Sequence, residues 1–339
     1  MKISGRKIDP GFLKDAPMER VPCRLCGGNA LSAVADADCI GLPVKTVMCR
    51  TCGLIFLNPR PAAEWYRQFY SSLGGRHHEY NAGVYTGDEK PIGTGFERAR
   101  AHGRALGERL GAHLKPGVTI DVGSSEGGVL AGLGDRLSIR PVGIEPVPAE
   151  AEYATARGIP THAALIEDVT SLGIRLPEAA NVVCVKSLNH FLDPAHFFGW
   201  AWSVLGSDGR LMLEVKNFLH QVRRSGRIRS GIQVDHPYMY VPETLSAFVR
   251  RAGFDILVLD VDEGKRSSEL RAQEQSGLPA GHVRLVARKT ERQPFRVPFE
   301  PDPIRVASLR CSLAPLNLYG HYLVRYANLK QNIRSRLGI

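Results

Sequence analysis

The stretch "VTIDVGSSEGGVL", residues 118–130, decides how this chain is read. Val118 to Val122 form an apolar run of strand length, and a turn of small and polar residues follows before "GVL" begins a helix. A buried strand that turns sharply into a helix lets the backbone approach a ligand beside the helix N-terminus. A dinucleotide loop needs G-x-G-x-x-G so that the backbone can press against a pyrophosphate. Here the order is Asp121-Val122-Gly123-Ser124-Ser125-Glu126-Gly127, with glycine only at the first and last small positions. Asp121 and Glu126 make the loop better suited to a cation than to a diphosphate.

Outward from this loop the chain alternates strand and helix signals. "RPVGIE" is a strand ending on Glu145, 18 residues after Gly127, where an acid can accept hydrogen bonds from both ribose hydroxyls. A helix is expected from about Pro148 to Ala156, and "ANVVCVKS" is an apolar run typical of a strand buried on both faces. "DPAHFFGWAWSVLG" predicts a helix with Asp193 as N-cap, Pro194 at the first helical position and Gly206 as its stop. "GRLMLEV" is the next strand. "PETLSAFVRRAGF" is a helix starting at Pro242, with Gly253 just past its end, and "FDILVLD" and "HVRLVARK" are the last strands. The alternation means an α/β fold with a doubly wound sheet and ligands at the carboxyl ends of the strands.

The N-terminal part carries a second signal. "CRLC" (Cys23, Cys26) and "CRTC" (Cys49, Cys52) are separated by 22 residues, and each pair is followed by glycine, Gly27 and Gly53. Two such knuckles offer four thiolates to one tetrahedral ion, so a structural zinc site is expected, closed to substrate. A redox disulfide or unrelated thiols are the alternatives. Cys39, Cys184 and Cys311 read as small core residues.

At 339 residues, 43% hydrophobic and 23% charged, the composition is that of a globular protein and excludes a fibre or a disordered chain. The opening "MKISGRKIDPGFLKDAP" has no apolar h-region, and the longest apolar runs are strand-length, so the expected location is cytoplasmic. The net charge of +10 is uneven: Val283 to Ile339 carry eleven Lys/Arg against three acids, and Lys216 to Val234 hold five basic residues with no acid. Such blocks point to an anionic partner or to solvated faces.

Taken in order, "CRLCG…CRTCGLIFLNPRP", "IDVGSSEG", "VGIEP", "VKSLNHFLDP", "LGSDGRLMLEVKN" and "DHPYMYVPETLSAFVRRAGF" resemble the class I S-adenosylmethionine-dependent methyltransferases. More narrowly, the chain is similar to the bacterial zinc-binding branch related to sugar C-methyltransferases, over roughly residues 20 to 290. The resemblance implies a Rossmann-like, mostly parallel seven-stranded sheet. It also implies a zinc-binding domain at 1–60, a helical linker at 61–110, a methyltransferase domain at 111–290 and a basic extension at 291–339. It further implies S-adenosylmethionine as cofactor, with Asp121, Gly123, Ser125 and Gly127 at the methionine end and Glu145 at the ribose. "HAAL" (162–165, with Ala164) would pass the adenine, and Ser187 would follow the fourth strand. Ser125 stands where the family commonly has the middle glycine of its loop. Serine is small enough for close approach unless the position needs positive φ.

Methyl transfer is an in-line displacement, so an enzyme positions the nucleophile and takes its proton. His190 in "SLNHFLDP" and His236 in "VDHPY" are the candidate bases, the alternatives being a loop-holding and a surface role. The sugar C-methyltransferases carry a Tyr-x-Glu-His element before the helix after the fifth strand. Asp235-His236 keep its acid and histidine, Gln233 stands at the tyrosine position, and Tyr238 is the nearby phenol. A histidine of ordinary pKa near 6.5 suits deprotonation of a hydroxyl or an enolisable carbon. Arginines of the 216–229 block are candidates to grip the diphosphate of a nucleotide sugar. The C-terminal "LYGHYLVRYANLKQNIRSRLGI" has apolar residues at helical spacing, and is expected to pack on the domain or a partner subunit, or to touch an anionic membrane surface.

The first reading is a small-molecule methyltransferase acting on a sugar or related glycan precursor. An RNA methyltransferase is the second, with the zinc segment and basic blocks binding nucleic acid. Against it, residues 1–60 hold only Phe12 and Phe56 as aromatics, too few for a base-stacking platform. A non-catalytic binding module with an altered loop is the third.

Overall fold

The computed structural model describes residues 10–70, 80, 84, 91–262, 265–296 and 298–313. The C-terminal helix expected around residues 319–337 lies outside the described residues.

The N-terminal segment contributes strands β1 (Met18–Glu19), β2 (Leu31–Ala35), β3 (Thr46–Cys49), β4 (Ile55–Leu57) and β5 (Arg60–Pro61), then helix α1 (Ala63–Tyr70). Helix α2 (Phe96–Leu110) leads into the large sheet. There follow β6 (Gly117–Val122), α3 (Gly128–Gly134), β7 (Ile139–Glu145), α4 (Pro148–Ala156), β8 (Thr161–Ala163) and β9 (Ala179–Val185). Next come α5 (Pro194–Val204), β10 (Leu205–Lys216), α6 (Phe218–Ser225), β11 (Tyr238–Met239), α7 (Pro242–Arg251), β12 (Phe254–Asp260), α8 (Ser267–Gln275) and β13 (His282–Lys289).

Seven strands form one sheet in the order β12-β13-β10-β9-β6-β7-β8. Every pairing from β10 to β8 is parallel, whereas β13 runs antiparallel to both β10 and β12. The parallel strands are apolar because helices cover both faces. Val182 and Cys184 pack on the side of Phe198 and Phe248, while Val183 and Val185 pack with Leu106 and Leu130. The sequence order reverses between β6 and β9, which opens a crevice at their carboxyl ends. Two glycines set one wall of that layer: a Cβ on Gly132 would lie 2.0 Å from the Arg100 carbonyl, and one on Gly103 2.3 Å from the Val129 carbonyl. Helices α2 and α3 therefore touch backbone to backbone.

Two local expectations change. Asp193 caps α5 as its spacing implies, accepting from the Ala195 and His196 amides, and the helix ends at Val204 with Leu205 as C-cap, so Gly206 comes just past its end. The chain is already in β10 at Leu205, and a register shift between Leu205 and Arg210 carries Gly206 through the strand. Cys184 is buried and Cys39 half-buried, but Cys311 is exposed and no core residue. The N-terminal segment is not closed at residue 60: β11 pairs antiparallel with β4, completing the sheet β11-β4-β3-β2. Cys23, Leu25, Cys49, Leu54 and Phe56 share one apolar cluster with Leu188, Tyr238 and Phe248 of the large domain. So small a segment has little core of its own and borrows one.

Candidate functional site

A cavity of about 260 Å³ opens at the carboxyl ends of β6, β7 and β9. Val122, Gly123 and Ser125 line it from the first loop, Glu145 and Glu150 from the second, Ala164 to Glu167 from the third, and Ser187, His190 and Phe191 from the fourth. Tyr66 and Tyr70 of α1 close one side. Among these lining residues three are carboxylates and none is lysine or arginine, so the cavity favours a cation. The acids responsible differ from those first expected. Asp121 and Glu126 do not line the cavity: Glu126 accepts the Gly93 amide at 2.6 Å, and Asp121 is buried.

The first loop is closely built. Gly123 has φ +77°, and a Cβ there would meet the Ser187 hydroxyl at 2.4 Å, so only glycine allows this strand-end crossing. Ser187 donates its hydroxyl to the Gly123 carbonyl at 3.0 Å. Gly127 has φ +81° and starts α3. Ser125 has φ +49°: the position does require the left-handed region, and serine is held there. Its amide donates to Glu145 Oε2 at 2.8 Å, and its hydroxyl to Glu150 Oε2 at 2.6 Å. Glu145 Oε1 accepts the Val147 amide at 2.9 Å. Burial, and then the charge of Glu150, push the Glu145 carboxyl up to about 8, against the pull of the two amides. Burial alone pushes Asp121 up to about 7, and its buried Oδ1 has no hydrogen-bond partner within the protein. Burial also raises Glu167, whose Oε1 accepts the Leu192 amide at 3.0 Å.

S-adenosylmethionine fits this cavity on the chain's own terms. The glycine crossing lets a ligand approach backbone, the Asp121 Oδ1 atom is buried with no partner in the protein, and the lining holds three carboxyl groups and no cationic side chain. Asp121, Gly123, Ser125, Gly127, Glu145, Ala164 and Ser187 all belong to the loops around it, although Asp121 and Gly127 stand behind the lining.

His190 leads from the cavity to a second cluster. Its ring stands 4.5 Å, centroid to centroid, from that of His236, at 82°. His190 Nδ1 lies 3.0 Å from the Tyr70 hydroxyl and 3.8 Å from Asp235 Oδ2. His236 is 4% exposed, which makes it no surface residue. Asp235 is likewise buried, and burial pushes its carboxyl up to about 7 against the pull of Lys216. The turn at 233–236 is held from the N-terminal side: Tyr66 donates to the Val234 carbonyl at 2.7 Å, and Tyr80 accepts the Val234 amide while donating to Asp38. Lys216 donates to Gln233 Oε1 at 3.0 Å, so the residue that stands where the sugar C-methyltransferases have a tyrosine is a partner of lysine. Tyr238 is elsewhere. It stacks on Phe56 and bonds to the Leu192 carbonyl and Arg60, away from the histidine pair.

Lys216, Arg223, Arg224, Arg227 and Arg229 do not line the cavity. Arg229 pairs with Asp36, and Arg223 reaches the Ser312 hydroxyl. The four cysteines of the N-terminal segment do converge: Cys23 and Cys52 sulfurs are 3.3 Å apart, Cys26 and Cys49 3.5 Å, and all four lie within 4.8 Å of one another. Gly27 and Gly53 donate amides back to Cys23 and Cys49, the knuckle geometry that four thiolates around one metal need.

Tyr66, Tyr70, Glu150 and Glu167 were not among the sequence candidates. The two tyrosines lie four apart on α1, a helical spacing that a search for a shared face could have found. Glu150 sits in the first turn of α4, just beyond Glu145. Among the described residues no helix is long and apolar enough to cross a membrane.

Residues 96–259, just under half of the chain, match the family model described as "Methyltransferase domain". No curated protein matches the sequence. Among solved structures, an S-adenosylmethionine-dependent methyltransferase from Thermotoga maritima is similar at 18% identity and a TM-score of 0.43, covering 58% of this chain and 93% of its own. One from Mesorhizobium loti is similar at 16% and 0.42, covering 55% and 98%. The geranyl diphosphate C-methyltransferase of Streptomyces coelicolor stands at 15% and 0.40, covering 55% and 77%. These likenesses carry nothing about the acceptor; the sheet order and the family match carry the assignment. Residues 96–259 of the chain are a methyltransferase domain.

Proposed function

We propose that the acceptor is a small molecule, a sugar or related glycan precursor, that meets the methyl group beside the His190–Asp235–His236 cluster. The observation behind this reading is that the anionic cavity ends on His190, and His190 stacks edge-on against a buried His236. S-adenosylmethionine, when bound, supplies a methyl group on a positively charged sulfur. Glu145 would accept the ribose hydroxyls, and Gly123 and Ser125 would let the methionine end lie against backbone. His236 would take the acceptor's proton as the new bond forms, with Asp235 and His190 holding it and stabilising its charge. Tyr70 would fix the His190 ring. The four-cysteine group would hold a structural zinc, tying the 20–60 segment to β11 and so to the turn that carries His236.

Sugars bearing a diphosphate would need their cations outside the described cavity lining, which offers none. The 216–229 block is the nearest such set in sequence to the cluster.

The first test is calorimetric titration with S-adenosylhomocysteine, expected to bind in the micromolar range, about −8 kcal/mol. An acceptor screen by mass spectrometry would follow, scoring a gain of one methyl group on nucleotide sugars. With an acceptor in hand, His236→Ala is expected to lose turnover while keeping S-adenosylhomocysteine affinity. Unchanged turnover would remove His236 from the mechanism.

A further inference from the structure

The loop serine at position 125 is the residue that departs most from a glycine-rich cofactor turn, and its geometry shows a use for the departure. At φ +49° the backbone is in the left-handed region, which glycine enters freely and serine seldom does. What serine adds over glycine is one hydroxyl, and that hydroxyl donates to Glu150 Oε2 at 2.6 Å. Ser125 and Glu150 both line the cofactor cavity, as does Glu145. The same serine therefore ties two carboxylates to one loop: its amide to Glu145, its side chain to Glu150. Strain held at a ligand loop calls for a function that compensates it.

We propose that Ser125 is a positioning residue that holds Glu150 at the cavity as a second carboxylate for the ribose diol, beside Glu145. Each Glu145 oxygen already accepts one backbone amide, from Val147 and from Ser125, so each carries one occupied lone-pair direction. A ribose offers two hydroxyl donors side by side. A second carboxylate in the same wall adds two acceptor oxygens, one of them bonded to Ser125, to those that Glu145 presents. Two acids here also oppose each other, since Glu150 raises Glu145, and the ribose hydroxyls relieve that opposition by donating to both.

This rests on the reading of the cavity as the S-adenosylmethionine site, and the experiment separates the two. S-adenosylhomocysteine and adenosine are titrated by calorimetry at pH 9, where Glu145 is ionised with or without its neighbour's field. The proteins are wild type, Ser125→Gly, Glu150→Ala and the double variant. Because glycine suits the left-handed backbone better, Ser125→Gly leaves the loop conformation at least as favourable, so any loss of affinity belongs to the hydroxyl. Each single variant is expected to weaken both ligands about tenfold, the scale of one hydrogen bond to a charged group. The double variant is expected to be no weaker than Glu150→Ala, because the serine acts through the glutamate. Melting temperature is expected to stay within a few degrees, which a merely structural role would not allow alongside a shared loss on both ligands.

Unchanged or tighter binding in Ser125→Gly overturns the proposal, and so does additive loss in the double variant. Failure of wild type to bind either ligand overturns the cavity reading itself, and the proposal with it.

Discussion

Replacing Glu145 by glutamine tests the electrostatics of the proposed cofactor site in one step. In the unliganded protein burial and Glu150 hold this carboxyl at about 8, so near pH 6 it is almost wholly protonated. In the proposed complex, ribose hydroxyls donating to the ionised form would lower its pKa. The bound state then carries fewer protons on Glu145 than the free state. Affinity must rise with pH until about 8 and level off above it. If the complex holds the carboxyl ionised down to pH 6, the gain is roughly tenfold per unit over two units, about 100-fold or about 2.7 kcal/mol. Glutamine keeps the shape and one acceptor but has no proton to lose, so this slope vanishes. Asp121 also titrates in the window, but in both proteins, and the ratio of the two affinities isolates Glu145. Isothermal titration with S-adenosylhomocysteine at pH 6, 7, 8 and 9 reads it directly. Repeating the pH 7 titration in buffers of different ionisation enthalpy would show close to one proton released by wild type. A ratio of wild type to Glu145→Gln that stays constant from pH 6 to 9 would refute the reasoning.

Three further outcomes follow from the same structure. Asp121, Glu145 and Asp235 all have carboxyl groups raised by burial, to about 7, 8 and 7. Between their unfolded values near 4 and these folded values the native state binds more protons, so stability falls as pH rises through that window. Unliganded protein should melt higher at pH 6 than at pH 8.5 in differential scanning fluorimetry, and Asp121→Asn should narrow the difference; an unaltered difference would show that Asp121 is not the source. Metal analysis should find about one zinc per chain, and Cys49→Ser should lower both zinc content and melting temperature; metal-free protein with an intact fold would reject the zinc reading. Gly132→Ala should destabilise by about 3 kcal/mol, because its Cβ meets the Arg100 carbonyl and α2 must move off α3; a urea midpoint within error of wild type would show that the crossing is not tight.

Much of the scaffold was legible in local signals. The small-residue turn after an apolar strand located the loop between β6 and α3, Asp193-Pro194 located the start of α5, and "RPVGIE" located β7 with Glu145 at its end. The cysteine spacing foresaw four sulfurs in one place. Each of these depends on residues near each other in the chain, where periodicity, capping and turn chemistry act. The end of α5 fell just before Gly206 as expected, but the chain enters β10 directly at Leu205, a pairing with β9 that no local signal shows.

The candidate site itself came from tertiary structure. His190 follows β9, Asp235 and His236 lie in a turn held by Tyr66 and Tyr80, and Tyr70 arrives on a helix from the N-terminal side. Nothing in the spacing of these residues says that they meet, because their convergence depends on how the sheet order reverses and where β11 joins β4. Charge followed the same rule. Asp121 and Glu126 were the expected loop acids, yet Asp121 is buried and a loop amide takes the Glu126 carboxylate, while Glu145, Glu150 and Glu167 are the acids that line the cavity. The sequence by itself determined which segments become strands and helices and where the loop after β6 must turn. Which side chains share a cavity, and which carboxyls burial lifts toward neutrality, was decided only when distant segments packed, since desolvation and contact exist only in the folded chain.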